Sequence, residues 1–240
     1  MYGIKFFVII CALFFSLGAN QLLAQDLSLL GNTGLMVIPT ADLQSDRTLS
    51  FGYTYVHSEE VRYNFSKWPF TEGSAARVVY ANLAFLPFME ATVRLTRPYA
   101  GKEELGLGDR SIFLRFRLLK ERKYLPAIAI GLHDLISSPG GYFQSNYLVA
   151  SKRWGVEEKV YYQASGGYGF KWSDANQGYL LGLFGGVRAD WKFLSAVVEY
   201  DAEQLNAGLK AHFFKRHIYL NVGFLQLKHL SIGLAANLRL

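Results

Sequence analysis

The sequence predicts an all-β fold, an antiparallel up-and-down transmembrane β-barrel of about 12 strands. Three observations carry this. Apolar residues recur with period two: Ile112, Leu114, Phe116 and Leu118 alternate with Ser111, Phe113, Arg115 and Arg117. The 240 residues are 51% hydrophobic and 15% aromatic, yet after Gln25 no window approaches 18 uninterrupted apolar residues. The chain also ends in an alternating strand, with Leu230, Ile232, Leu234, Ala236, Leu238 and Leu240 in one phase. Such a strand can pair with the first and leave no open edge in lipid.

The elements follow in order. Lys5, the apolar stretch Phe6–Leu17 and the small residues Gly18, Ala19 and Ala24 read as a secretory signal over 1–24, too short to span a membrane. The single cysteine, Cys11, lies inside that stretch, so no disulfide scaffold is possible. Residues 25–47, with Gly31, Gly34 and Pro39, read as an irregular periplasmic or plugging lead-in. The barrel then covers 48–240. Its strands are expected at 48–57, 75–85, 89–97, 109–119, 126–135, 142–151, 158–170, 178–189, 194–201, 206–214, 217–225 and 229–240. Short connections fall at 86–88, 215–216 and 226–228, and longer ones at 58–74 and 98–108.

Alternation alone does not say which face meets water. The apolar face is Leu, Ile, Val, Phe and Tyr over almost every strand, whereas a water-facing surface would be rich in Lys and Glu. Aromatics such as Tyr53, Phe88, Tyr124, Trp154 and Trp191 cluster near strand ends, as in interfacial girdles. Both place the apolar face in an outer membrane, with lipid as a partner. An even strand count puts both termini on the periplasmic side. The turns there form a basic rim of Lys120, Arg122, Lys123, Lys152, Arg153, Lys215 and Arg216, able to attract an anionic polymer or lipid.

By phase, Glu90, Arg94, Arg115, Arg117, Arg188, Glu199, Asp201 and Lys210 point into the lumen. Two readings stand. A salt-bridged plug would join Glu90 and Arg94 to Arg115 and Arg117, and Glu199 and Asp201 to Arg188 and Lys210. A polar conduit would instead contact sugar chains, with inward aromatics stacking on sugar faces.

Other chemistry is sparse. The formal charge of +6 is scattered over alternating strands of an exported chain, which speaks against nucleic acid. No HxH, HExxH or cysteine cluster suggests a metal, and no cofactor is implied. His133-Asp134 beside Ser137 and Ser138 allows a lipid-modifying hydrolase as an alternative, defined by geometry the sequence does not give. A small general pore is the other alternative.

Several segments resemble the YjbH/GfcD-like outer-membrane family. They are Gly34–Ala41 followed by Leu49–Tyr53, Leu86–Ala91, Gly108–Ser111, Phe116–Glu121, Tyr124–Ala129, Tyr147–Lys152, Glu199–Asp201 and Asn206–Leu209. The resemblance covers roughly residues 30–240, and longer members of the family carry large additional regions. It implies a role in exopolysaccharide production and capsule export, with periplasmic export or biosynthesis proteins as partners. It brings no catalytic motif, so a non-enzymatic role is expected.

Overall fold

A computed structural model describes residues 26–57, 75–100, 103–104, 109–133, 145–156, 160–171 and 180–240. The signal expected over 1–24 and the loop residues Asp134, Ser137 and Ser138 lie outside the described residues. Twelve long strands form the ring: β1 Thr48–His57, β2 Ala75–Leu86, β3 Met89–Ala100, β4 Asp109–Leu119, β5 Ala127–His133, β6 Ser145–Val156, β7 Val160–Phe170, β8 Gly182–Trp191, β9 Leu194–Tyr200, β10 Leu205–Phe213, β11 Ile218–Leu225 and β12 His229–Arg239. A two-residue piece, Glu103–Glu104, extends the sheet beside the end of β3.

Each strand pairs antiparallel with its neighbours in sequence, and β1 pairs with β12 from Thr48↔Arg239 to Tyr55↔Ile232. The Leu240 amide also donates to the Arg47 carbonyl at 2.7 Å. No long strand is left with an open edge, which is what backbone groups in lipid require.

The strand bounds show what alternation captures. β1 and β4 occupy the spans the pattern predicts. β6 runs on to Val156, beyond the expected 151, because β6 and β7 stay paired as far as Val156↔Val160 even though Lys152 and Arg153 interrupt the apolar phase. Backbone pairing is indifferent to that change of side chain. β5 starts at Ala127 rather than 126, since Pro126 has no N–H to give the ladder. Gln226 and Leu227 carry φ values of 55° and 56° between β11 and β12. They lie in a three-residue turn, 226–228, in which the Lys228 amide donates to the Leu225 carbonyl at 3.0 Å.

One end of the ring carries the short turns between β2 and β3, β4 and β5, β8 and β9, and β10 and β11, together with both strand termini, Thr48 and Arg239. We call it the turn end and the opposite end the loop end. The outer wall is apolar: Val79, Val93, Leu148, Leu183, Val187, Leu209, Phe224, Ile232 and Leu234 are all exposed. The inner wall is polar and buried, with Ser50, Asn82, Glu90, Arg115, Asn206, Lys210, Asn221 and Ser231 at zero exposure.

What covers the inner wall is the lead-in. Leu27, Leu29, Leu35, Met36 and Ile38 are fully buried, and bonds from this segment reach β3, β4, β6, β9, β10 and β11. Only a segment inside the ring can touch strands on every side of it. It is folded on itself: Ser28 N–H donates to Asn32 C=O, Leu29 to Met36, Leu35 to Ile38, and Gly34 to Asp26. A Cβ on Gly208 of β10 would come within 2.6 Å of the Met36 methyl, so the wall is bare there to seat the lead-in.

Candidate functional site: a plugged, charged lumen

An apolar, aperiodic segment inside a barrel brings unpaired backbone N–H and C=O groups with it. Each must find a partner or lose free energy. The inward charges supply those partners at four anchor points.

The first is on β3 and β4. The Glu90 carboxylate accepts from Thr33 Oγ1 at 2.7 Å, from the Thr33 amide at 3.3 Å and from the Gln44 amide at 3.0 Å. The Arg115 guanidinium pairs with it at 2.6 Å. Arg115 also donates to the carbonyls of Thr33 (2.8 Å), Asp42 (3.2 Å) and Thr40. Cross-strand register places Glu90 opposite Arg115, so the pair is built into the wall before the lead-in meets it.

The second is on β9. The Glu199 carboxylate accepts three consecutive backbone amides, Met36 at 2.9 Å, Val37 at 2.7 Å and Ile38 at 3.4 Å. Asn206 of β10 ties Glu199 (3.4 Å) to Asp201 (2.8 Å). Asp201 itself sits past the end of β9 and caps the turn by accepting the amides of Glu203 and Gln204. Burial pushes its carboxyl above the ordinary aspartate range, against the bonds from Asn206 and the turn amides.

The third gathers around Asp26, where the described lead-in begins. Arg188 Nη1 is 3.6 Å and His212 Nε2 is 3.4 Å from its carboxylate, and Arg188 also pairs with Asp190 at 3.1 Å. Lys210 donates to the carbonyls of Leu27 and Gly34, and Tyr219 OH accepts the Leu27 amide. Burial raises the Asp26 carboxyl, but the positive charges of His212, Lys210, Arg188 and Arg216 outweigh it and hold the group below the ordinary aspartate range. Ser195 Oγ lies 3.3 Å from His212 Nε2 but donates to Asp190 at 2.5 Å. Asp26 approaches that same ring nitrogen, so Ser195, His212, Asp190 and Asp26 form one buried cluster at this anchor.

The fourth closes the lead-in at the turn end. Asp42 pairs with Arg153 at 2.5 Å and accepts from Gln163 at 2.5 Å, while Ser151 Oγ accepts the Ala41 amide at 2.8 Å.

Of the eight inward charges read from phase, Glu90, Arg94, Arg115, Arg188, Glu199 and Lys210 are buried in the lumen, and Asp201 is buried at its edge. Arg94 lies over the Phe113 ring at 4.4 Å. Arg117 shares this phase, opposite the buried Ala129, and sits half-buried at the turn end, donating to the Pro87 carbonyl. The register shift of β4 against β5 follows it, between Arg117 and Leu119. The expected pairing also changes partners: Lys210 and Glu199 meet lead-in backbone, and Arg188 meets Asp190 and Asp26.

The basic turns divide. Lys120, Arg122 and Lys123 are exposed, and Lys152 pairs with Glu121 at 3.0 Å. Arg153 turns inward to Asp42, and Arg216 is half-buried within the field of Asp26. For Lys215 only the backbone is described. His133 is buried between Phe113 (4.2 Å) and Tyr147 (5.0 Å) on the inner wall, and its expected neighbours Asp134, Ser137 and Ser138 lie outside the described residues. The anchors missed from sequence are Asp26, Asp42, Asp190, Ser195 and His212. A signal was present: an aperiodic run of Leu, Met, Val and Ile at 27–38 must be buried, and its amides then require buried acceptors.

Closed strands, an exposed apolar outer wall and a lumen filled by the chain's own leading segment define a plugged antiparallel β-barrel. Residues 26–180 match the model of the family described as exopolysaccharide biosynthesis protein YbjH. The chain belongs to this YjbH family. It is also similar to the uncharacterized lipoprotein YjbH of Escherichia coli (strain K12), with 30% identity over 133 residues. That match covers 52% of this chain and 16% of the relative, so the chain corresponds to a small part of the longer protein.

Proposed function

We propose that this chain is a non-enzymatic outer-membrane barrel, exported by its N-terminal signal, that assists assembly or secretion of an exopolysaccharide. Family membership supports the link to exopolysaccharide biosynthesis. The apolar outer wall supports insertion in a bilayer.

The observation that carries the non-enzymatic, non-porin reading is the pinned lead-in. A general pore needs an open polar lumen, and here Glu90, Glu199, Arg115 and Lys210 are engaged with residues 27–44. The barrel acts as a gated or scaffolding element, with sugar polymer and periplasmic export or biosynthesis proteins as its partners.

The test is deletion of the gene with surface polysaccharide and small-solute permeability read together. Loss of surface polysaccharide with unchanged permeability is expected; unchanged polysaccharide refutes the role. In planar bilayers the intact protein is expected to be silent, and a variant lacking residues 26–44 to conduct. Steady conductance by the intact protein returns it to the pore class.

A further inference from the structure

Among the described residues, the outward phase of β2, β3 and β4 turns basic at the loop end. It runs through Val79, Leu95 and Ile112 and then reaches Arg77, Arg97 and Arg110. All three arginines are exposed. Arg77 and Arg97 are direct cross-strand partners. Arg110 pairs with Leu95, two residues from Arg97 on the same face, which makes it a diagonal neighbour about 7–8 Å away.

The three guanidinium groups face the same side of the sheet, and each offers five N–H donors, so an anion adds to whatever else each arginine holds. At the loop end of other strands the exposed outward residues are apolar, as Leu183 of β8, Leu205 of β10 and Leu230 of β12 show. Among the described residues, the exposed Lys171 and Lys228 at that end lie past strand ends, whereas the three arginines share one face of three adjacent strands. The position marks the occupant, because the arginines follow the apolar residues Val79, Leu95 and Ile112 toward the loop end, and charged groups bordering an apolar band meet lipid headgroups.

We propose that Arg77, Arg97 and Arg110 form a binding surface for the phosphorylated headgroup of a glycolipid in the leaflet at the loop end, whose acyl chains lie along Val79, Leu95 and Ile112. The inference rests on the membrane-barrel reading above.

The experiment measures binding of bisphosphorylated lipid A to the full chain in detergent micelles by native mass spectrometry, with dephosphorylated lipid A as the second probe. We expect the native protein to bind the phosphorylated form at least tenfold more tightly. Combined Arg77→Gln, Arg97→Gln and Arg110→Gln substitution should abolish that preference. The corresponding triple Lys variant should keep most of it, and Lys192→Gln, an exposed charge in the turn between β8 and β9, should not change it. Heat-modifiable migration on gels confirms that each variant is folded. Equal binding of the two lipids, or a triple Gln variant within twofold of native, overturns the proposal while leaving the barrel reading intact. A native chain that fails to insert into liposomes overturns both.

Discussion

The lumen holds its lead-in by two different means on its two sides. On the β3–β4 side, Glu90 is neutralised by Arg115 at 2.6 Å, and both side chains then bond to the lead-in. On the β9–β10 side, Glu199 grips the amides of Met36, Val37 and Ile38, and the neighbouring Lys210 spends its donors on the carbonyls of Leu27 and Gly34. The first side is an ion pair that the wall makes by itself. On the second, opposite charges are separated and each is matched to backbone dipoles of the guest. The lesson concerns dependence. Removing the lead-in would leave Glu90 and Arg115 partnered, whereas Glu199 and Lys210 would lose the partners that offset their burial.

The largest expected effect tests the first side. Arg115→Met leaves the Glu90 charge buried without its cation and orphans three lead-in carbonyls; a loss of about 3–5 kcal/mol is expected from such broken buried pairs. Urea unfolding of the micelle-solubilised protein, followed by tryptophan fluorescence, measures it. A loss under 1 kcal/mol would mean the pair is not the principal anchor.

Glu199→Ala tests the second side and should cost about 2–3 kcal/mol through three amides left without an acceptor. Its signature differs: the lead-in should become open to protease while the barrel keeps its heat-modifiable migration. If both variants expose the lead-in equally and unfold at the same urea concentration, the two sides are not distinct.

Asp26 gives a smaller, pH-dependent effect. Its carboxyl is held below the ordinary value of 3.8 in the folded protein, so its contribution is complete above that value. The contribution is lost as pH falls below 3.8 through the lower folded value. Protease cleavage of the lead-in should rise on acidification through that window, and Asp26→Asn should flatten the rise at a cost of about 1 kcal/mol near neutral pH. An unchanged profile in the variant would remove Asp26 from the anchors.

The smallest effect is the control. The Lys152–Glu121 pair is part-exposed at the turn end, away from the lead-in, and Lys152→Ala should cost about 0.5 kcal/mol or less in the same urea titration.

Much of this was legible from residue order. Alternation located β1 and β4 to the residue, and the terminal phase from Leu230 to Leu240 announced ring closure. It also placed Glu90 and Arg115 inside, because a strand that is apolar on one face fixes the other. Arg117 keeps the inward phase opposite Ala129, and only its place at the turn end leaves it half-buried. The anchors around Asp26 and Asp42 escaped because an aperiodic segment carries no phase, and nothing local says which strands it will touch.

The sequence by itself thus determined the ring: how many strands, which face is apolar, and which charges turn inward. Those depend on a period of two that every strand carries alone. Only the tertiary structure decided what the inward charges do. Whether a buried carboxylate faces a guanidinium, as Glu90 does, or three backbone amides, as Glu199 does, depends on residues up to 163 positions apart meeting in one lumen. Burial sets the penalty for a wrong partner, and burial exists only once the ring has closed around the lead-in.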